Sequence, residues 1–230
     1  MPSFYQTHPA TCAPDDYWGQ VRRTVNGQPI SAEQIELIVE SMGEALELGS
    51  TDRLLDLCCG NGALTSRWFA RCAGGIGVDN SEPLIQVAQA DFAKPPREQY
   101  LLASVLDFAR APGGFGDVNE IEKAICFASV QYLPRELVRI WLADLRRSMP
   151  KLRRLVLGNL PDRERIGGFA KQGTELPLDD PESALGCWWS QEELTLLAQR
   201  AGYRCHIQAP PEAFYAAHYR FDAILEPLPI

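Results

Sequence analysis

The chain has 230 residues, of which 46% are apolar and 23% charged, and a formal net charge of −8. These values describe an ordinary globular protein with a substantial core, and the acidic balance argues against a dominant nucleic-acid surface. Its seven cysteines include no CxxC pair, which disfavours a disulfide framework or a zinc site and favours reduced thiols in a cytoplasmic protein.

The first 30 residues are expected to be irregular, with a tight turn at Asn26-Gly27. They lack the basic and apolar regions of a signal peptide, and no stretch of the chain approaches the roughly 18 apolar residues of a membrane span. Ser31 and Gln34 form a capping box, after which apolar residues at helical spacing predict a helix over 32–48.

Strand and helix patterns then alternate. Strands are predicted at 53–57, 75–79, 100–102, 123–128, 152–157, 203–208 and 219–225. Further helices are predicted at 62–72, 81–92, 135–147 and, from a capping box at Ser190, at 190–201. This alternation predicts a parallel sheet with helices on both faces. The last two strands lack a crossover helix between them and should form an antiparallel hairpin.

A long segment of weak periodicity, 159–189, follows the fifth strand. Long loops in compact domains are usually functional, and this one follows the carboxyl end of a strand, where open α/β sheets bind ligands. We therefore expect a single domain over 1–230 in which 159–189 is a lid or substrate-selecting segment and 1–30 is a capping segment. Of Trp188 and Trp189, one should anchor the last helix and the other could line an acceptor site.

The most informative motif is the glycine loop at 54–62. An apolar run containing Asp56 breaks into glycines separated by one residue, a turn that brings bare backbone next to a ligand. The dinucleotide fingerprint requires a third small residue where this chain has Thr65, and the lysine of a P-loop is missing. A carboxylate at the strand end cannot help a pyrophosphate, but it can help a ligand that carries a cationic amine.

The segment from Leu55 to Gly62 resembles the first motif of class I S-adenosylmethionine-dependent methyltransferases, with Cys58 where that family usually has glycine. The resemblance extends over roughly 30–226 and includes the closing antiparallel hairpin. It implies a Rossmann-like α/β fold: a seven-stranded mixed sheet with the last strand antiparallel. It also implies S-adenosyl-L-methionine as cofactor and S-adenosyl-L-homocysteine as product, with no metal.

The resemblance also implies which residues surround the cofactor. Those of the glycine loop are Asp56, Cys58, Cys59, Gly60, Asn61 and Gly62. After the second strand, Asp79 would accept hydrogen bonds from both ribose hydroxyls and Asn80 would lie beside the adenosine. After the third strand, Leu106 would pack on the adenine and Asp107, in a loop, would face its amino group. The residues after the fourth strand would line the methionine half and face the acceptor: Phe127, Ala128, Ser129 and Gln131.

Several of these assignments have a structural alternative. Asp79 and Asn80 could instead form a surface turn. Phe127 is equally explained as core packing. Trp18 and the other aromatic residues of the capping segment could cover the sulfonium, partly through cation–π contacts, or could form a strap that packs on the helix at 32–48.

The reaction that the resemblance implies is SN2 methyl transfer, for which the enzyme aligns an acceptor with the S–CH₃ bond. A general base is needed only where the acceptor must lose a proton. His8, His218 and Tyr132 are the candidates, Tyr5 is comparable, and His206 is more simply a structural residue of a strand.

The acidic surface and the mid-sized lid favour a small-molecule or metabolite acceptor, methylated at O, N or C, in a monomer or homodimer. One alternative is an RNA methyltransferase that uses the basic cluster at 135–154, although a solvated helix face explains that cluster more simply. Its members are Arg135, Arg139, Arg146, Arg147, Lys151, Arg153 and Arg154. The other alternative is a non-catalytic protein that binds the cofactor or a partner.

Overall fold

The computed structural model describes residues 4–116, 118–170 and 175–229. Its strands are β1 (Thr24–Val25), β2 (Gln28–Pro29), β3 (Arg53–Leu57), β4 (Gly75–Asp79), β5 (Glu98–Leu102), β6 (Ile121–Phe127), β7 (Arg154–Pro161), β8 (Tyr203–Gln208) and β9 (Arg220–Pro227). Its α-helices are α1 (Phe4–Thr7), α2 (Tyr17–Gln20), α3 (Ala32–Ala45), α4 (Thr65–Phe69), α5 (Glu82–Val87), α6 (Val105–Arg110), α7 (Arg135–Ser148) and α8 (Gln191–Arg200). The predicted caps are confirmed: the Ser31 and Ser190 hydroxyls accept hydrogen bonds from the N–H groups of Gln34 and Glu193.

Strands β3 to β9 form one mixed sheet in the order β5-β4-β3-β6-β7-β9-β8. Neighbouring strands from β5 to β7 are parallel, whereas β9 is antiparallel to both β7 and β8. The predicted seven-stranded sheet with its antiparallel closing hairpin is therefore confirmed. The strand order reverses between β3 and β6, which opens a crevice at the carboxyl ends of these strands.

Helices cover both faces of the sheet because successive strand side chains alternate between them. Leu54 packs in the layer of α3, α4 and α5 with Trp68, and Leu55 packs in the layer of α6, α7 and α8 with Trp141. All four side chains are fully buried. Among the described residues, no helix is long and apolar enough to cross a membrane.

Several predicted boundaries were wrong for local reasons. The helix predicted from residue 62 begins at Thr65, because the preceding residues form a turn in which the Asn61 side chain accepts from Ala63 N–H at 3.3 Å. Asp107 lies in a helix and not in a loop, because the Ser104 hydroxyl accepts from Leu106 N–H and begins α6 there.

The start of the chain is more regular than predicted, because short-range polar contacts stabilise its turns. The Asp16 carboxylate accepts a hydrogen bond from Gly19 N–H at 2.9 Å and begins α2. Asn26 and Gly27 both have positive φ, as a type I′ turn requires, and they join β1 to β2.

We predict that the close approach of β4 to β3 at Gly75 cannot accommodate a side chain. An added Cβ would lie 1.8 Å from the carbonyl oxygen of Leu54. Gly75→Ala should therefore lower the free energy of unfolding by about 3 kcal/mol, measured by urea denaturation. At Gly113 an added Cβ would meet nothing within 4 Å, so Gly113→Ala is the matched control. Equal midpoints for the two variants would contradict the close packing.

Candidate functional site

A cavity of about 420 Å³ lies at the carboxyl ends of β3, β4 and β6. Its floor is formed by the glycine loop and the ends of these strands. Its roof is formed by the N-terminal strap, by which we mean residues 4–23, and by the rim segment, residues 181–184. The volume falls within the range of about 300–1,000 Å³ that is usual for small-molecule sites.

Most of the residues predicted to contact a cofactor line this cavity. They are Trp18, Cys58, Cys59, Gly60, Asn61, Asp79, Asn80, Leu106, Phe127, Ala128 and Ser129. Tyr132 and Tyr5 also line it. The structure therefore brings together residues from five separate stretches of sequence at the predicted edge of the sheet.

The glycine loop turns through residues with positive φ. Cys58 has a φ of 68°, Gly60 of 58° and Gly62 of 79°. A Cβ added to Gly60 would lie 3.0 Å from the side chain of Val21, so the N-terminal strap packs directly on the loop. This position needs a glycine because both its backbone conformation and the strap leave little room for a side chain.

The carboxylate of Asp79 connects the loops that follow β3 and β4. One oxygen accepts from Gly60 N–H and the other from Ser81 N–H, both at 2.8 Å. Burial raises the pKa of Asp79, and the backbone hydrogen bonds from Ser81, Gly60 and Asn80 oppose that rise. Each carboxylate oxygen has a further lone pair, so the group can also accept hydrogen bonds from two neighbouring hydroxyls in the cavity.

Asp56 lies beneath the glycine loop and does not line the cavity. It is 3% exposed, and its carboxylate accepts a hydrogen bond of 2.5 Å from the Thr65 hydroxyl at the start of α4. Burial raises its pKa to about 7, nearby Asp79 adds to the rise, and the Thr65 hydroxyl and the Arg23 charge oppose it. Asp56 therefore supports the loop from below.

Gly62, Asp107 and Gln131 also lie outside the cavity lining. A Cβ on Gly62 would meet the Tyr100 ring at 2.9 Å. Asp107 is exposed on α6 and pairs with Arg110 at 3.3 Å, whereas the preceding Leu106 faces the cavity. The buried Gln131 amide donates to Ala128 O at 2.9 Å and so stabilises the loop after β6.

The candidate bases differ in whether they reach the cavity. The His8 ring nitrogen Nε2 lies 3.0 Å from Gly19 O and the ring stacks on Phe4, while His218 packs against Tyr219; neither histidine lines the cavity. Tyr132 lines the cavity, and its hydroxyl donates to Ala184 O of the rim segment at 3.2 Å. Burial raises the pKa of Tyr5, which makes Tyr5 a poor base.

The N-terminal strap is tied to the glycine loop by polar contacts. The Asn61 amide donates to Tyr17 O at 2.8 Å and to Gln20 Oε1 at 2.9 Å. Helix α2 then ends in a Schellman motif, in which Arg23 N–H donates to Trp18 O and Arg22 N–H donates to Gly19 O. The strap therefore roofs the cavity.

Two arginines of the strap, Arg22 and Arg23, line the cavity but were not among the predicted site residues. Their signal in the sequence is a pair of adjacent cations that follows the aromatic pair Tyr17-Trp18 after three intervening residues in an acidic chain. Arg22, Cys58 and Ala128 all have positive φ without being glycine. Such strained backbone commonly concentrates at functional sites, and all three residues line this cavity.

The rim segment is held by the loop after β6. Cys187 N–H donates to Gln131 O at 2.7 Å, and a Cβ on Gly186 would lie 2.4 Å from the same oxygen. Trp188 and Trp189 are both buried in the core and neither lines the cavity. The rim segment is the part of the predicted lid 159–189 that faces the cavity, and residues 171–174 of that lid lie outside the described residues.

The basic cluster at 135–154 is largely neutralised by ion pairs. Arg135 pairs with Asp179 and Glu193, both at 2.7 Å, and Arg154 pairs with Glu226 at 2.9 Å. Arg147, Lys151 and Arg153 also have acidic partners. The cluster is therefore a surface on which most cations are paired with carboxylates, and not a free basic patch.

We predict that buried Asp56 makes stability depend on pH. Its pKa of about 7 exceeds the unfolded value of 3.8, so the native state binds more protons than the unfolded state between these values. Stability should therefore fall as the pH rises from about 4 to about 7, and the loss should be smaller in Asp56→Asn, which keeps an acceptor for Thr65.

The measurement is the free energy of urea unfolding at pH 4.5 and pH 8. On going from pH 4.5 to pH 8, the parent should lose roughly 2–4 kcal/mol more unfolding free energy than Asp56→Asn does. Asp107→Asn, at an exposed position, should lose as much as the parent. Parallel pH profiles for the parent and Asp56→Asn would exclude a raised pKa at Asp56.

A second prediction concerns Cys58, whose φ of 68° is strained for a side chain with a Cβ. Cys58→Gly should keep the stability within about 1 kcal/mol and leave the loop open to ligands. Cys58→Val should be less stable by about 2 kcal/mol, because a β-branched residue tolerates this conformation poorly. Thermal unfolding compares the two; a more stable valine variant would contradict the assigned backbone conformation.

Comparison with known proteins supports the fold. No protein-family model matches the chain. A curated protein of Schizosaccharomyces pombe, named as an uncharacterized methyltransferase, is 30% identical over 76 residues. That match covers 33% of this chain, and the chain spans 27% of the length of that relative.

Solved structures match over most of the chain at low identity. A SAM-dependent methyltransferase of Leishmania major has a TM-score of 0.67 at 14% identity, covering 96% of this chain and 79% of its own. A TehB-like SAM-dependent methyltransferase of Corynebacterium glutamicum has a TM-score of 0.57 at 15% identity, and the match covers 95% of this chain and 99% of that protein. The magnesium protoporphyrin IX methyltransferase of Synechocystis PCC 6803, crystallised with bound SAH, has a TM-score of 0.56 at 17% identity. This match covers 84% of this chain and 81% of that protein. The strand order, the antiparallel β9 and these matches agree: the chain has the fold of the class I S-adenosylmethionine-dependent methyltransferases.

Proposed function

We propose that this protein is an S-adenosylmethionine-dependent methyltransferase that acts on a small-molecule or metabolite acceptor at O, N or C. The observation that carries the proposal is the Asp79 carboxylate. Two backbone N–H groups orient it at the carboxyl end of β4, and it faces a roofed cavity that also contains the glycine loop. A carboxylate with free lone pairs is a suitable acceptor for a ribose diol.

The lining supports an extended cofactor that crosses the ends of the strands. Asp79 would bind the ribose, and Asn80, Ser104 and Leu106 would surround the adenine. The glycine loop and the residues after β6, Phe127 to Ser129, would contact the methionine end. When bound, S-adenosylmethionine supplies an activated methyl group, so the chain's task is to align the acceptor and exclude water.

The roof supports a small acceptor. The N-terminal strap and the rim segment cover the cavity from two sides, which suits a metabolite-sized substrate better than a polymer. The magnesium protoporphyrin IX methyltransferase is a structural neighbour named for a small-molecule substrate. Where an acceptor must lose a proton, Tyr132 is the proposed base, since among the candidates His8, His218 and Tyr132 it alone lines the cavity.

Experiments can separate this function from the two alternatives, an RNA methyltransferase and a non-catalytic protein that binds the cofactor or a partner. The ion pairs of the basic cluster leave few of its cations free for RNA. If RNA were the substrate, filter binding should weaken steeply as salt is raised. A non-catalytic protein would bind the cofactor and methylate nothing.

We predict that Asp79→Ala lowers the affinity for S-adenosylhomocysteine at least tenfold, or about 1.4 kcal/mol, in isothermal titration calorimetry. The loss is expected because the ribose hydroxyls would lose their acceptor. Asp107→Ala is the matched control, because its carboxylate lies outside the cavity. It should stay within about twofold of the parent.

Circular dichroism should verify that Asp79→Ala is folded, and Asp79→Asn, which keeps one acceptor oxygen, provides a milder second variant. Undiminished binding by both Asp79 variants would refute the site. Incubation with labelled S-adenosylmethionine and separated metabolite and RNA fractions of an extract then tests the reaction. Label transfer to RNA, or to neither fraction, would favour one of the alternatives.

A further inference from the structure

The roof of the cavity contains two adjacent arginines. Arg22 and Arg23 both line the cavity, and within the described ranges neither forms an ion pair. Most arginines of the basic cluster, by contrast, have carboxylate partners. The two guanidinium groups thus place positive charge along the lining of a site for small molecules, with Arg22 exposed and Arg23 half-buried.

Arg23 is the more confined of the two. Its guanidinium lies over the ring of Phe127, 5.0 Å from the centroid, and its Nε is shielded from solvent without a hydrogen-bond partner. Burial lowers the pKa of Arg23, and the neighbouring Tyr215, Tyr5 and Asp56 only partly oppose this. A confined guanidinium with an unsatisfied donor is costly, which indicates that the site is incomplete without an anion.

The backbone of the strap holds this pair at a conformational cost. Arg22 adopts a φ of 51° at the end of α2, a position where glycine is usual. Its guanidinium lies 5.0 Å from the centroid of the Phe4 ring. Since a glycine at residue 22 would relieve the strain, an arginine at this position is explained more readily by a ligand contact than by the turn.

The position of the pair separates it from the ribose-binding end. Asp79 ends β4, whereas the Phe127 ring beneath Arg23 belongs to the end of β6, and β3 lies between them. Phe127 and its neighbours are the part of the lining expected to contact the methionine end of the cofactor and to face the acceptor. Tyr5 and Tyr132, from the strap and the loop after β6, lie beside each other with ring centroids 6.2 Å apart.

We propose that Arg22 and Arg23 form the anion-binding subsite of the methyl acceptor, and hence that the acceptor is a small molecule carrying a carboxylate. This inference rests on the proposed function. A planar guanidinium fork matches a carboxylate through parallel hydrogen bonds. The aromatic surfaces of Phe4, Tyr5 and Phe127 suit the apolar body of such an acceptor.

The test uses benzoate as probe and benzamide as its neutral analogue of the same shape, each titrated into the full-length protein saturated with S-adenosylhomocysteine. Ligand-observed NMR should show saturable binding of benzoate and at least about tenfold weaker binding of benzamide. Equal binding of the two probes, or no saturable binding of benzoate, would overturn the proposal. Tighter binding of inorganic phosphate than of benzoate would overturn the assignment to carboxylates.

The variants are Arg23→Met, which keeps an apolar side chain over Phe127, and Arg22→Gln. Each should weaken benzoate at least about tenfold and change the affinity for S-adenosylhomocysteine by no more than about twofold. Arg23→Lys, which keeps the charge, should recover part of the benzoate affinity. Arg139→Gln is the matched control, since Arg139 is exposed on α7 away from the cavity lining, and it should behave as the parent.

The arginines could instead bind the carboxylate of the cofactor itself. Comparing S-adenosylhomocysteine with 5′-methylthioadenosine tests this second source. If Arg23→Met weakens S-adenosylhomocysteine but not 5′-methylthioadenosine, which lacks the amino-acid group, the arginines bind the cofactor and the proposal fails. If the parent binds neither nucleoside, the proposed function fails instead. The two failures are therefore distinguishable.

Discussion

The hydrogen bonds accepted by Asp79 determine the shape of the site. They link the loop after β3 directly to the loop after β4. With them, Gly60 N–H and Ser81 N–H are fixed on one carboxylate. The glycine loop then presents its backbone upward, and the N-terminal strap can pack against Gly60 through Val21. Floor and roof of the cavity thus depend on one buried acid that also lines the cavity.

Asp56 and Asp79 show how neighbouring strands give similar side chains different roles. Asp56, within β3, is directed beneath the loop to Thr65, where burial raises its pKa to about 7. Asp79, the last residue of β4, reaches the cavity surface. One acid supports the fold of the loop from below and the other is available to a ligand. The glycine loop is therefore held from both sides.

The sequence was most informative where structure is dictated locally. Buried apolar runs located the strands, and the glycines located the loop, because the turn requires positive φ at Gly60 and Gly62. It was least informative where side-chain direction depends on distant contacts. A new helix start at Ser104 turns Asp107 to solvent, and the strap reaches the cavity through contacts with Asn61, far along the chain. The arginines of the strap therefore escaped prediction.

The amide of Asn61 binds the strap through Tyr17 O and Gln20 Oε1, so the residue that shapes the floor also closes the roof. Breaking these bonds and separating Val21 from Gly60 would open the roof on the side of the strap while the sheet stays in place. Mobility of a short terminal segment could then change how long a molecule stays in the cavity without changing the residues that bind it.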